Sequence, residues 1–277
     1  MNIRTAFRTT WVARPLFNFS GAVLCASLLL AHDDSEATTW TAPAQSSAHD
    51  EAWTQQANNL LADIVSDEGR VNYAVARDQR VILDTLIVGL SSPRHFDNPS
   101  AELAFYINAY NLLVIQGVVE AWPVDSVRDI KRFFKRRDHN VNGQQVSLDA
   151  IENNRVRRLG DARIHAALVC GAASCPPLLR GLFAARALNA QFDAVTARWL
   201  ADPDKNTARE GELWISRIFK WYGEDFDREP YDGLVDFLDR HTPALTPIAS
   251  LLQRNRSPRV RYQTYDWSLN ITPREDD

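Results

Sequence analysis

The run Glu102 to Trp122, ELAFYINAYNLLVIQGVVEAW, constrains the fold more than any other stretch of the chain. At about 100° per residue its apolar side chains point in every direction, so a helix here belongs at the centre of a fold. Ala104, Asn108, Asn111 and Ile115 fall within one narrow arc of that helix. Two amides in a buried arc cost roughly 1 to 3 kcal/mol per unsatisfied group, so each needs a partner. They either tie a neighbouring loop or strand end to the helix, or line a pocket.

The flanking sequence supplies shorter elements. Trp53, Ala57, Leu60, Leu61 and Ile64 recur at helical spacing, Gly69 closes that helix, and Arg70 to Tyr73 reads as a short extended piece. A second amphipathic helix is predicted over Arg77 to Leu90. Val141 to Val146 carries the Asn-Gly signal of a tight hairpin. Asp149 with Glu152 three residues on suggests a capping-box start to a helix reaching Leu159. Further helices are predicted over Ala184 to Leu200, Leu234 to Arg240 and near Leu251, with a strand over Leu213 to Ile218. No repeat or composition break divides the chain after about residue 50. The expected fold class is α+β, a helix-dominated single domain over residues 51–277 with a small β-sheet around a buried central helix.

The N-terminus has a different layout. Arg4, Arg8 and Arg14 lead into an apolar run from Leu16 to Ala31, and Asp33, Asp34 and Glu36 follow. Roughly 16 apolar residues fall short of the ~20 that a spanning helix needs, so residues 1–37 are expected to be a signal peptide cut after Ala31 or Ala37. Cys25 lacks the small residue that a lipid-attachment site wants immediately before it. Residues 38–50, rich in Ala, Ser and Thr, read as a flexible lead. The expectation is an exported protein, periplasmic or secreted, with no transmembrane span in its mature chain. A net charge of −4 argues against nucleic acid as a partner.

Chemistry concentrates in RIHAALVCGAASCPPLL, Arg163 to Leu179. The run Ile164 to Val169 suits a strand buried on both faces, and Gly171, Pro176 and Pro177 then break it, leaving Cys170 and Cys175 at a turn. A thiol nucleophile needs a base and usually a third group to orient that base. His165 is the first candidate. In an extended segment, however, five steps of about 3.3 Å put it roughly 16 Å from Cys170 and on the opposite face, which makes Cys175 its better partner. His139 and His241 are the other candidate bases; Glu102, Asp266, Asn108 and Asn111 are candidate orienters. A disulfide between Cys170 and Cys175 is the competing reading, worth roughly 2 kcal/mol by loop closure if the Cα atoms approach within about 7 Å. The His165, Cys170 and Cys175 spacing matches no usual zinc pattern, and the sequence carries no phosphate loop or other cofactor motif, so neither metal nor cofactor is expected. Trp221, Tyr222 and Trp267 are candidates to line a groove. Lys131, Arg132, Lys135, Arg136 and Arg137 around Phe133 and Phe134 make a solvated face or a site for an anion.

Five ordered stretches, AFYINAYNLLVIQGVV, SLDAIENNRVR, RIHAALVCGAASCPPL, FKWYGEDF and YDWSLN, together resemble the domain-of-unknown-function 547 family of exported bacterial proteins. The resemblance runs from about Trp53 to Ile271. It supports the fold and implies little about activity, since the family has no settled biochemical function. In plant relatives the second cysteine is serine, so the resemblance weights any chemical role toward Cys170.

Two functions remain open on the sequence. One is a cysteine-dependent hydrolase or acyl transferase acting on an amide or ester, with a site of Cys170, His165, Asn108, Asn111, Cys175 and Glu102. The other is a non-catalytic envelope binding or assembly module held by a Cys170–Cys175 disulfide. The partner is an unidentified small molecule or peptide in either case.

Overall fold

The computed structural model describes residues 45–272, so the expected signal peptide lies outside the described residues. Four helices open the fold: α1 (Gln45–Ile64), α2 (Tyr73–Asp78), α3 (Arg80–Gly89) and α4 (Pro99–Ala121). α1 begins inside the segment expected to be a flexible lead; Gln45 to Asp50 holds no proline or glycine to stop it. The single helix expected over Arg77 to Leu90 is two. Asn72 caps the first by accepting from the Val75 N–H at 3.1 Å, and the chain breaks at Gln79 before α3 begins.

α4 is the buried centre that its all-round apolarity demands. Asn98 caps it, accepting from the Ala101 N–H at 2.9 Å, Pro99 opens its first turn, and Pro123 follows just beyond its end. Of the described helices it alone is long and apolar enough to cross a membrane, and most of that stretch is buried inside the fold. α2 and α3 pack against it, and α1 packs on α2 and α3.

The hairpin of β1 (His139–Val141) and β2 (Gln144–Val146) turns at Asn142 and Gly143, both at positive φ as an Asn-Gly turn requires. The next helix, α5 (Leu148–Ile151), is capped by Ser147, whose hydroxyl accepts from the Ala150 N–H at 3.1 Å. The cap expected at Asp149 is therefore two residues early in the chain. The helix then widens into one π-helical turn, Glu152–Val156, before a tight 3-10 turn, Arg157–Leu159.

Ile164 to Val169 is not the buried strand its composition suggests. Asp161 caps a 3-10 turn over Ala162–Ala166, accepting from the Arg163 N–H at 2.9 Å. A short apolar run is compatible with either conformation, and here the decision falls to α4. Asn111 donates to the Ala167 carbonyl and accepts from the Val169 N–H, both at 2.9 Å, doing for the two peptides that flank Leu168 what a neighbouring strand would have done.

After this turn come α6 (Leu188–Ala201), α7 (Ile218–Trp221), α8 (Leu234–His241) and α9 (Pro247–Arg254). A small mixed sheet pairs β3 (Thr207–Arg209) antiparallel with β4 (Glu212–Ile215), and β4 parallel with β5 (Arg259–Tyr262). The fold is the expected helix-dominated α+β domain.

The closing segment, Tyr265 to Ile271, bridges distant parts of the chain. Asn270 N–H donates to Gly171 O at 3.0 Å, Ala173 N–H to Ser268 O at 2.7 Å, and Val71 N–H to Asn270 O at 2.8 Å. Gly171 sits at φ +84°, and a Cβ there would meet Val127 Cγ1 at 2.9 Å. Gly171→Ala is therefore expected to lower stability by about 2 to 4 kcal/mol, combining left-handed strain with overpacking. Urea unfolding checks this, and a loss under 1 kcal/mol contradicts it.

Candidate functional site

The turn that follows His165 brings together what an extended strand would have kept apart. His165, Cys170 and Cys175 all line one cavity of about 310 Å³. Tyr110 reaches it from α4, Asp149 and Glu152 from α5 and the π-helical turn, and Phe134 and Lys135 from the basic run. Trp221 and Tyr222, with Tyr265 and Trp267 from the closing segment, complete its walls.

His165 is buried, and its Nε2 lies 2.8 Å from Asp225 Oδ2. Arg157 holds Asp225 in a two-point grip, Nε to Oδ2 at 2.6 Å and Nη2 to Oδ1 at 3.0 Å. Burial alone would raise the Asp225 carboxyl, but hydrogen bonds from His165 and Arg157 hold it well below the usual carboxylate range. An ionised carboxylate only accepts, so Nε2 carries the proton and Nδ1 keeps its lone pair in the neutral ring. Among the described residues Nδ1 has no hydrogen-bond partner. The imidazole packs against Tyr222, with centroids 4.3 Å apart, and against Phe226 at 5.3 Å, so its plane is fixed from the sides as well.

The two cysteines sit at disulfide distance, with Cα atoms 6.4 Å apart. Cys175 is buried and Cys170 half-buried. The Cys170 N–H donates to Cys175 Sγ at 3.2 Å, and the Tyr265 hydroxyl lies 3.3 Å from Cys175 Sγ and 3.5 Å from Cys170 Sγ. Glu152 accepts from the Tyr110 hydroxyl at 3.5 Å, and its charge acts on the nearby Tyr222. Burial first, and then the nearby Glu152 charge, push Tyr110, Tyr222 and Tyr265 upward, so all three keep their protons and serve as donors.

Several candidates from the sequence lie elsewhere. Asn108 donates to Phe183 O at 2.8 Å and accepts from Phe183 N–H at 2.9 Å; like Asn111 it is spent on backbone and does not line the cavity. The amides of the narrow arc tie loops to α4, and the wall that α4 gives the cavity is Tyr110. Glu102 stays in the first turn of α4, away from the cavity. His139 is buried in β1, its Nε2 without a partner among the described residues, and burial followed by the charge of Arg137 pushes its pKa down to about 4. His241 meets the Tyr231 hydroxyl at 2.8 Å, and Asp266 accepts from the Ser268 N–H at 2.9 Å; neither lines the cavity. Of the basic run, Lys131, Arg132, Lys135 and Arg136 are exposed while Phe133 is buried. Among the described residues no group of three or more His, Cys, Asp or Glu side chains is gathered to hold a metal ion.

Asp225, Arg157, Glu152 and Tyr265 escaped notice as site residues. Asp225 stands in the FKWYGEDF stretch and Tyr265 in YDWSLN, but nothing local distinguishes an acid 60 residues from its histidine. Glu152, taken as half of a capping box, is released from that duty by Ser147.

Fold and cavity together define a class: a helix-dominated α+β domain in which a histidine backed by an Asp–Arg pair meets a cysteine pair inside aromatic walls. Residues 94–200 match the family described as Protein of unknown function, DUF547, and over this stretch the chain carries a domain of that family. Three of the five stretches that suggested the resemblance fall inside the match; FKWYGEDF and YDWSLN fall beyond it. No curated protein and no solved structure matches the chain.

Proposed function

We propose that the reduced protein is a cysteine-dependent hydrolase or acyl transferase acting on an amide or ester. Cys170 is the nucleophile, His165 the base and Asp225 the group that orients it, in the place first considered for Asn108, Asn111 or Glu102. One observation carries this reading: the His165 Nε2 is fixed by a buried, doubly anchored carboxylate while the ring lines the cavity that holds both sulfurs.

In the first step His165 Nδ1 takes the Cys170 thiol proton as the sulfur attacks the carbonyl carbon. The Tyr265 hydroxyl is the donor available to the developing oxyanion. The C–O or C–N bond then breaks, the leaving group takes the proton from the imidazolium, and a thioester remains. Water, or an acceptor amine or alcohol, gives its proton to His165 and bonds to the thioester carbon; the C–S bond breaks, the acyl product leaves, and the Cys170 thiolate takes the proton back from the imidazolium.

The bridged pair contains no nucleophile. Activity therefore requires a thiol reductant, which is oxidised to its disulfide as Cys170 and Cys175 are freed. An exported chain, as residues 1–37 suggest, would rest in the bridged form. The sulfur separation also favours a second reading, in which the bridge is structural and the cavity only binds.

Alkylation of the full chain by iodoacetamide at neutral pH, mapped by peptide mass spectrometry, separates the two readings. After reduction, Cys170 is expected to react at least about 10-fold faster than a free cysteine, and His165→Ala to abolish that excess. The reduced protein should also release p-nitrophenol from p-nitrophenyl acetate in a burst that Cys170→Ser removes. Reduced Cys170 reacting no faster than free cysteine, with no burst, would leave the binding module standing.

A further inference from the structure

We propose that the cavity recognises a positively charged amine or ammonium group, held between the Glu152 carboxylate and the aromatic wall of Trp221, Tyr265 and Trp267. The three rings form one continuous cluster, with centroids 4.7 Å apart for Trp221–Tyr265 and Tyr265–Trp267 and 5.8 Å for Trp221–Trp267. Aromatic faces attract a cation through the ring quadrupole, more strongly where water is partly excluded. Trp267 already takes one from the protein, with the Arg128 guanidinium 5.5 Å from its centroid.

The charges around the cavity agree with this. Glu152 makes no ion pair among the described residues; its polar neighbours are tyrosine hydroxyls, which steady a carboxylate without neutralising it. Arg155, on the same turn, bonds to Gln144, and Arg157, just beyond it, is committed to Asp225 and Asn153. The one lysine of the lining, Lys135, is exposed and answered by Asp149 at 3.8 Å. An anionic group would find no free cation inside, whereas a cation finds a carboxylate and three π faces. The π-helical turn that starts at Glu152 is the local departure that accompanies its entry into the cavity, a distortion frequent at functional sites.

Binding of the cation stands on the cavity alone. Its place on the substrate of the cysteine chemistry, as part of the acyl donor or as the acceptor amine, rests on the function proposed above.

Isothermal titration of the full, bridged chain with three probes of one shape tests the inference: choline, the neutral 3,3-dimethylbutan-1-ol and the anionic 3,3-dimethylbutanoate. Choline is expected to bind about 10-fold or more tightly than the alcohol, and the anion least. Glu152→Gln should reduce choline to the level of the alcohol while leaving the alcohol unchanged, which also reports that the variant is folded. Trp221→Ala should weaken choline more than it weakens the alcohol. Equal affinity for choline and the alcohol, preference for the anion, or no binding of choline at any soluble concentration overturns the proposal. Because alkylation of Cys170 is read separately, an inert thiol with choline bound defeats only the hydrolase reading. A fast, His165-dependent thiol with no choline preference defeats only this one.

Discussion

Asp225→Ala is expected to lower the unfolding free energy by about 2 to 4 kcal/mol, toward the lower end of what breaking a buried ion pair costs because Arg157 is partly exposed. The carboxylate is 7% exposed and answers two Arg157 nitrogens, the Arg228 guanidinium at 3.4 Å and the His165 ring; without it Arg157 keeps its bond to Asn153 but loses its opposing charge, and the buried imidazole loses its only side-chain partner among the described residues. For a domain of this size that corresponds to a melting temperature lower by roughly 5 to 15 °C. Asp225→Asn separates structure from chemistry. Its amide fills the same space and its oxygen still accepts from Arg157 Nη2, but the NH2 that replaces Oδ2 opposes Arg157 Nε, so only part of the stability returns. An amide N–H facing Nε2, however, favours the wrong tautomer of His165, and the fast alkylation of Cys170 should be lost as it is in His165→Ala. A pH series checks the assignment. The folded-state pKa of Asp225 is depressed, so its contribution is fully present above the unfolded carboxylate value of about 4 and disappears as the pH falls below it. The stability gap between the wild type and Asp225→Asn should be flat from neutral pH to about pH 5 and should close in stronger acid. A gap that instead widened in acid would show that the carboxylate is not ionised in the folded protein.

Asn111→Ala should be comparably damaging without touching the cavity. The amide satisfies the Ala167 carbonyl and the Val169 N–H, both beneath the turn that presents the cysteines. Losing it leaves two buried backbone groups unpaired at about 1 to 3 kcal/mol each, or about 2 to 6 kcal/mol together. Asn111→Asp keeps the acceptor for Val169 but sets a carboxylate oxygen against the Ala167 carbonyl, so it should rescue little. Urea unfolding gives the total, and hydrogen exchange at the Val169 amide gives the local part. Near-wild-type stability with unchanged Val169 protection would mean that the turn is held by its own hydrogen bonds.

Much of the fold was legible because its signals are local. The all-round apolar run from Glu102 to Trp122 specified α4 as the buried centre, and Asn142-Gly143 specified the hairpin. The same sequence reading misjudged Ile164 to Val169 because a short apolar run leaves strand and tight turn equally open, and the arbiter, Asn111, lies 56 residues from the carbonyl it captures. The arc of Asn108 and Asn111 was found correctly, and its duty was the plain one of tying loops to the central helix. The cysteines and His165 were recognisable as reactive types in one stretch. Asp225 was not, since an acid among GEDF is indistinguishable from a surface residue until the fold carries it to the imidazole. Trp221, Tyr222 and Trp267, singled out as groove-forming aromatics, do line the cavity.

The closing segment has a bearing on where the working unit ends. Tyr265 and Trp267 belong to the same few residues that hydrogen-bond to Gly171, Ala173 and Val71, and Asn270 accepts from the Tyr73 hydroxyl at 2.7 Å. A fragment cut to the family match at residue 200 would keep the sulfurs and the imidazole. It would forfeit the carboxylate that aims the ring, most of the aromatic enclosure, and the tether that draws the first helices against the cysteine loop. Chemistry and shelter are thus written in separate parts of the chain, and Tyr265 to Ile271 is what joins them.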